Sequence, residues 1–411
     1  MDYKLFELEN GIRVIHQPVN NSKITHCGLI LDIGSRDESV SQQGIAHFWE
    51  HMAFKGTQKR KAFHILNRID SVGGELNAYT TKEKICFYAS VLDQHFDKAL
   101  DLLTDITFDS IFPESQIEKE RGVILEEMSM YLDSPEEAIQ DDFDTLIFGQ
   151  HPLGVNILGT RESIKAFHRD DFKQFIKEHL NTERLVVSVV SGLPTSKVKR
   201  LAEKYLKNIP MMNAPVNRLS ADPYVVKHQT INRDLMQSQV ALGREAYSLK
   251  SEKKLPFFLL TNYLGGPAMN SRLNMALREK YGYVYSIEAA YNAYTDTGLF
   301  AVYFGTEPKQ TDRSIALVLK ELEMLKKKAF TPVQLHRIKE QLIGQMAMAE
   351  ESHISLMLAI GKSMLDKGSI DSFDEVTAQV RAITSHDLME IAEEVFNKDE
   401  ISILTYRPNK S

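Results

Sequence analysis

His47, Glu50 and His51 fall within one short run, Gly44-Ile45-Ala46-His47-Phe48-Trp49-Glu50-His51-Met52-Ala53-Phe54-Lys55-Gly56. The pattern reads as a single helix closed at its C-terminal end by Gly56. At ~100° per residue, histidines four apart stack one turn apart on one face, where two imidazoles can converge on a zinc ion. Glu50 lies within a turn of the same place. A carboxylate beside a zinc-activated water is what metal-assisted hydrolysis needs: the metal lowers the pKa of the water to about 7 and the carboxylate takes its proton. Two histidines four apart also arise by chance on a polar helix edge, but the order H-x-x-E-H is more restrictive. A catalytic zinc takes three protein ligands and leaves one position open, so a third ligand must come from another element.

Residues 114–132 are the place to find it. Ile117, Ile124, Leu125, Met128 and Tyr131 form an apolar helical stripe, with Ser115 and Glu118 as a capping box. Glu120 and Glu127 are seven apart, two turns to within ~20°, and share a face adjoining the stripe, whereas Glu126 is rotated by ~100°. Periodicity favours Glu120 and Glu127 as inward-facing; the bland alternative is an exposed charged edge.

The elements that carry these residues belong to a repeated architecture. Asn77-Ala78-Tyr79-Thr80 recurs as Asn292-Ala293-Tyr294-Thr295, an offset of 215 (292 minus 77), in a chain of 411 residues. Each copy leads into a strand-like run, and Gly28 to Gly34 and Gln239 to Gly243 are matched runs ending at glycine. Two homologous halves follow: 1–212, a linker at 213–223 marked by Pro215 and Pro223, and 224–411. Adjacent pairs of short strands mixed with helical patterns, among them 163–180, 195–206 and 385–395, predict an α+β fold with mostly antiparallel sheet.

With 49 Lys plus Arg against 56 Asp plus Glu, the net charge is −7, and no basic stripe offers a nucleic-acid footprint. The two cysteines, Cys27 and Cys86, lie in apolar runs without metal or disulfide spacing, which fits a reducing compartment. No leader pattern and no span of ~20 apolar residues is evident, so a soluble, cytoplasmic protein without a membrane partner is expected.

The sequence resembles the pitrilysin and insulysin metallopeptidases, inverted zincins, and among them the bacterial peptidases related to the mitochondrial processing peptidase β-subunit. The resemblance rests on Gly34-Ser35-Arg36-Asp37-Glu38, on Ala46 to Thr57, on Gly73-Gly74-Glu75-Leu76-Asn77-Ala78-Tyr79-Thr80, and on Glu120-Arg121-Gly122-Val123-Ile124-Leu125-Glu126-Glu127. It implies that His47, His51 and Glu127 bind Zn2+, that Glu50 is the general base, and that Glu120 is a catalytic-support carboxylate. Trp49 departs from the usual leucine and reads as packing. The run from Asn77 to Val91 is expected to be a strand at the site, with substrate peptide pairing at Asn77, Ala78 and Tyr79.

Carrying the offset of 215 into the second half places Asn262, Gly265 and Gly266 where His47, Glu50 and His51 stand, so no second metal site is expected. The resemblance instead implies that an arginine and a tyrosine seven apart, Arg278 and Tyr285, hold the peptide carbonyls. Tyr281 and Tyr283 compete for the tyrosine role. The implied protein is a zinc metalloendopeptidase cutting peptides or unfolded segments inside a chamber of four halves. Two copies of this chain suffice as a homodimer, and a heterodimer with a metal-free homologue meets the same requirement. A silent assembly subunit and a narrow-specificity processing peptidase are the competing readings.

Overall fold

The computed structural model describes residues 3–409. Strands β1 (Lys4–Glu7), β2 (Arg13–Pro18) and β3 (Ile24–Leu31) precede helices α1 (Ile45–Ala53) and α2 (Ala62–Asp70). The hairpin of β4 (Glu75–Thr80) and β5 (Ile85–Leu92) leads into α3 (Phe96–Phe108), α4 (Glu114–Leu132), α5 (Pro135–Phe148), α6 (Arg161–Ala166) and α7 (Arg169–His179). Strand β6 (Leu185–Ser191) and helix α8 (Thr195–Leu206) complete the first half. The second half runs β7 (His228–Arg233), β8 (Ser238–Ala246), α9 (Lys254–Gly265), β9 (Val284–Ala293), β10 (Gly298–Thr306) and α10 (Thr311–Lys327). Helices α11 (Pro332–Glu350), α12 (His353–Lys367), α13 (Phe373–Ala382) and α14 (Ser385–Val395) then lead to β11 (Ser402–Pro408).

The fold is α+β with two sheets, of order β1-β2-β6-β3-β5-β4 and β7-β11-β8-β10-β9. Without the edge strand β1, the two orders are the same, element for element. Each sheet has one parallel pair, β2 with β6 and β11 with β7, and is otherwise antiparallel. The repeat legible in a tetrapeptide is therefore a repeat of sheet topology. Among the described residues no helix is long and apolar enough to cross a membrane.

Several local expectations are corrected. The helix expected over 163–180 is two, α6 and α7, because Asp171 turns back to accept the backbone N–H of His168 and starts a new helix there. The helix carrying the histidines ends at Ala53, and Gly56 lies beyond it in a bridge with Lys61. The run from Asn77 to Val91 is two strands; the chain reverses at 81–84, where the Thr81 N–H donates to the Lys84 carbonyl at 2.7 Å.

The contiguous halves 1–212 and 224–411 are also revised. One compact unit comprises Met1–Met128, Asn156–Arg218 and Met348–Ser372; the other comprises Ser129–Val155, Leu219–Ala347 and Phe373–Ser411. Each half of the chain thus lends one helix to the other's sheet. In the first unit Leu356, Met357, Ile360 and Met364 of α12 are buried against Ile15, Val186 and Val190. At roughly 1.5–3 kcal/mol per buried side chain, those four contribute on the order of 10 kcal/mol. The approach is close: a Cβ on Gly361 would stand 2.2 Å from Ile30 Cδ1. In the second unit Ile139, Phe143, Leu146 and Ile147 of α5 cover Ala241, Leu299, Ala301 and Leu404.

The loop after β3 is held by a buried ion cluster. Arg218 donates to Asp37 at 2.8 Å from both Nε and Nη2 and meets Asp32 at 2.9 Å, while Arg36 meets Glu83 at 2.7 Å. Burial acts to raise the Asp32 carboxyl, but Arg218, Arg184 and Lys84 overcome it and hold it below the usual carboxylate range. A depressed carboxyl stabilises the fold above its unfolded pKa of about 3.9, and that stabilisation is lost as pH falls through its folded value. Arg218→Ala leaves buried carboxylates with one cation fewer. It is expected to cost about 3–5 kcal/mol in denaturant unfolding and to move the acid-unfolding midpoint to higher pH; an unchanged midpoint would refute the role given to Arg218.

Candidate metal centre

Helix α1 has nine residues, short of what holds a helix together in water. Its shape comes from packing. Ile45, Ala46, Phe48, Trp49, Met52 and Ala53 are buried in the core of the first unit, with Phe48 edge-on to Phe172 at 5.1 Å between ring centroids and Trp49 edge-on to Phe87 at 6.0 Å. Trp49 is packing, turned from the histidines. Gly44 opens the helix at φ 92°, a left-handed conformation that favours glycine, and a Cβ there would stand 2.6 Å from the Leu158 carbonyl oxygen.

The remaining face presents His47, Glu50 and His51. The imidazole centroids are 4.7 Å apart, and Glu127 from α4 lies across from them, Oε1 3.7 Å from His47 Nε2 and Oε2 3.6 Å from His51 Nε2. One donor atom from each of the three lies within 4.8 Å of the others. These separations are long for hydrogen bonds but suit a shared ion, since two donors at ~2.0–2.2 Å from a tetrahedral zinc stand roughly 3.4 Å apart. Burial, with His51 nearby, pushes His47 down to about 3, so its imidazole is neutral and its lone pair available. The donor set of two imidazoles and one carboxylate fits zinc.

The surrounding residues orient this set. Glu120 Oε2 lies 3.2 Å from His51 Nδ1, and Glu120 Oε1 meets Lys55 Nζ at 2.7 Å. Burial acts to raise the Glu120 carboxyl, but the bonds to His51 and Lys55 win and hold it low. A carboxylate accepting from Nδ1–H leaves Nε2 free as a ligand atom. Glu50 accepts a 2.6 Å hydrogen bond from Thr80 Oγ1 on β4, and burial pushes its carboxyl up, with Glu127 adding and Thr80 and His51 opposing. Burial likewise raises Glu127 against the pull of His51. Glu126 is exposed on the other side of α4.

Lys55 and Thr80 were not singled out by sequence, though the signals exist. Lys55 continues the four-residue spacing of His47 and His51, and strand alternation places Thr80 on the face opposite Tyr79. The third residue missed is Glu38, whose Oε1 and Oε2 each accept a 2.8 Å hydrogen bond, from the N–H groups of Ala46 and Gly44. Burial pushes its carboxyl up to about 8 against those two donors and Lys82.

Asn77, Ala78 and Tyr79 lie on β4, the last strand of its sheet, with Asn77 exposed. Cys27 and Cys86 are buried, free thiols, both pushed up to about 12 by burial. Arg278 and Tyr285 belong to the second unit. The Arg278 guanidinium stands 5.6 Å from the Tyr285 ring centroid, while Tyr281 and Tyr283 stack on each other at 5.2 Å. Arg278 also lines a cleft of about 580 Å³ with Gly266, Ser271 and Asn274, and Tyr285 is 85% exposed. At the positions matching the histidines, Asn262 instead donates to Gln345 on α11 at 2.9 Å, a neutral amide pair in place of an imidazole and a carboxylate.

A family model described as Insulinase (Peptidase family M16) matches residues 13–161, and one described as Peptidase M16 inactive domain matches residues 166–342. The chain is 32% identical over 396 residues to an uncharacterized zinc protease, YmxG, of Bacillus subtilis, covering 96% of each. The chain belongs to the insulinase family, peptidase family M16. A zinc protease of Rickettsia felis, likewise uncharacterized, is 33% identical over 399 residues, covering 96% of this chain and 95% of the relative. The fold is that of a Helicobacter pylori protease (TM-score 0.89, 21% identity, 99% of both chains). A Pseudomonas fluorescens peptidase M16 inactive domain has it too (TM-score 0.93, 17% identity, 100% of this chain and 99% of that one). The M16 model with the metal cluster inside its range is the one not called inactive.

If the cluster holds the metal, His51→Ala and Glu127→Gln lower zinc content after dialysis to roughly a tenth of wild type or less, and Glu126→Gln leaves it unchanged. Zinc loss by Glu126→Gln with retention by Glu127→Gln would exchange the two glutamates.

Proposed function

We propose that this M16 family member is a zinc-dependent endopeptidase that hydrolyses peptides or unfolded polypeptide segments. The observation that carries the reading is the cluster of His47, His51 and Glu127 with the Glu50 carboxylate held beside it by Thr80. A zinc ion bound there supplies Lewis acidity, polarising a carbonyl and bringing the pKa of a water towards about 7. Glu50 accepts the water proton and passes it to the leaving amine, and a carboxyl raised by burial is better matched to that exchange than one at its ordinary value. Lys55 and Glu120 hold His51 in one orientation.

Substrate backbone pairs with the open side of β4 at Asn77, Ala78 and Tyr79, a mode tolerant of side-chain sequence and suited to varied peptides. Arg278 and Tyr285 hold and polarise substrate carbonyls, a reading supported by their juxtaposition and by the family resemblance. Two copies of the chain build the enclosure, in the cytoplasm, as the same resemblance implies.

Digestion of a defined peptide mixture with and without a chelator, read by mass spectrometry, tests the activity. Internal cleavage that stops on chelation and returns with zinc is expected; a zinc-loaded protein that cleaves nothing would favour the assembly-subunit reading. Glu50→Gln keeps zinc while hydrolysis falls by about 10² or more, since an amide cannot take the proton. Tyr285→Phe lowers kcat by roughly 10-fold to 10³-fold with zinc content unchanged; wild-type kcat would remove Tyr285 from the chemistry.

A further inference from the structure

Helix α1 starts without a cap from its own first residues, because Gly44 has no side chain to offer. Glu38, from the loop before it and only 7% exposed, spans the gap. One carboxylate oxygen accepts the Gly44 N–H and the other accepts the Ala46 N–H, each at 2.8 Å. Two donors that the helix cannot satisfy internally are thereby satisfied by one planar group. The geometry matters because Ala46 immediately precedes His47. Core packing seats the helix, and two amide bonds donated to one planar group narrow the roll that packing leaves open more than a single bond would. A roll of ~10° moves an imidazole tip lying roughly 6 Å from the axis by about 1 Å. The base of the clamp is itself held, since neighbouring Asp37 takes both bonds from Arg218 and accepts the Gly34 N–H at 2.9 Å.

We propose that Glu38 is a positioning residue for the metal centre: by gripping the Gly44 and Ala46 amides it presets the roll of α1, so that His47 and His51 face Glu127 before any metal arrives. This rests on the zinc reading above, and goes beyond it by assigning the preorganisation of the site to a residue that touches neither metal nor substrate.

The first measurement is hydrogen exchange at single-residue resolution on the zinc-free, full-length wild-type protein. The Gly44 and Ala46 amides are expected to be as protected without zinc as with it; free exchange of both in the folded zinc-free protein overturns the proposal. The second uses Glu38→Gln, which sets an amide NH2 against a backbone N–H, and Glu38→Asp, which is too short to reach both donors. Zinc affinity by chelator competition is expected to fall about 10- to 100-fold, with altered visible bands in the cobalt-substituted protein. Thr384→Ala, which removes the cap of α14 in the other unit, controls for a general loss of stability and should lower Tm while sparing affinity and bands. Folded Glu38 variants with wild-type affinity and spectrum overturn the proposal, and if neither variant folds, amide protection decides. A wild-type protein that binds neither zinc nor cobalt sinks the zinc reading instead, and amide protection still reports on the clamp.

Discussion

Nine residues are too few to form a stable helix in water, yet the cluster of His47, His51 and Glu127 depends on two imidazoles held one turn apart. Burial of Ile45, Phe48, Trp49 and Met52 resolves that conflict by making helicity a property of the core rather than of the segment. The polar face then has its position imposed on it. Glu127 reaches it from α4, Thr80 from β4 and Glu38 from the preceding loop, so the site is a meeting of four elements, each fixed by packing elsewhere.

The two sheets show what the two units share and what they do not. Strand order survives in both units, because reordering strands would break the hydrogen-bond ladders and cores together. The polar face of the equivalent helix does not survive: Asn262 and Gln345 satisfy each other as amides, with no charge for a cation to answer. Architecture is constrained by many residues at once, whereas the metal face depends on three or four side chains and can be lost without unfolding the unit.

What the sequence disclosed follows the range of its periodicities. A four-residue and a seven-residue spacing are local helical facts, which is why His47 with His51, and Glu120 with Glu127, could be placed on common faces. The hairpin of β4 and β5 was hidden because its reversal, Thr81-Lys82-Glu83-Lys84, contains no glycine, proline or asparagine. The break between α6 and α7 was hidden because the apolar period continues through His168. Glu38 acts on amides six and eight residues away, in a loop without any period. An apolar stripe also announces that a helix is buried but not against which sheet, so the exchange of α5 and α12 left no mark.

That exchange has a consequence for synthesis. The strands of the first sheet are all made once Ser191 has been added, but one of its faces waits for α12, which ends at Lys367. At about 5–20 residues per second, translation takes on the order of ten to forty seconds to deliver that helix. Throughout that interval Ile15, Val186 and Val190 lack their cover on a nascent chain still tethered to the ribosome. The first half, although complete in sequence, cannot finish folding ahead of the second, and each newly made chain passes through a period in which a chaperone has an apolar sheet face to hold.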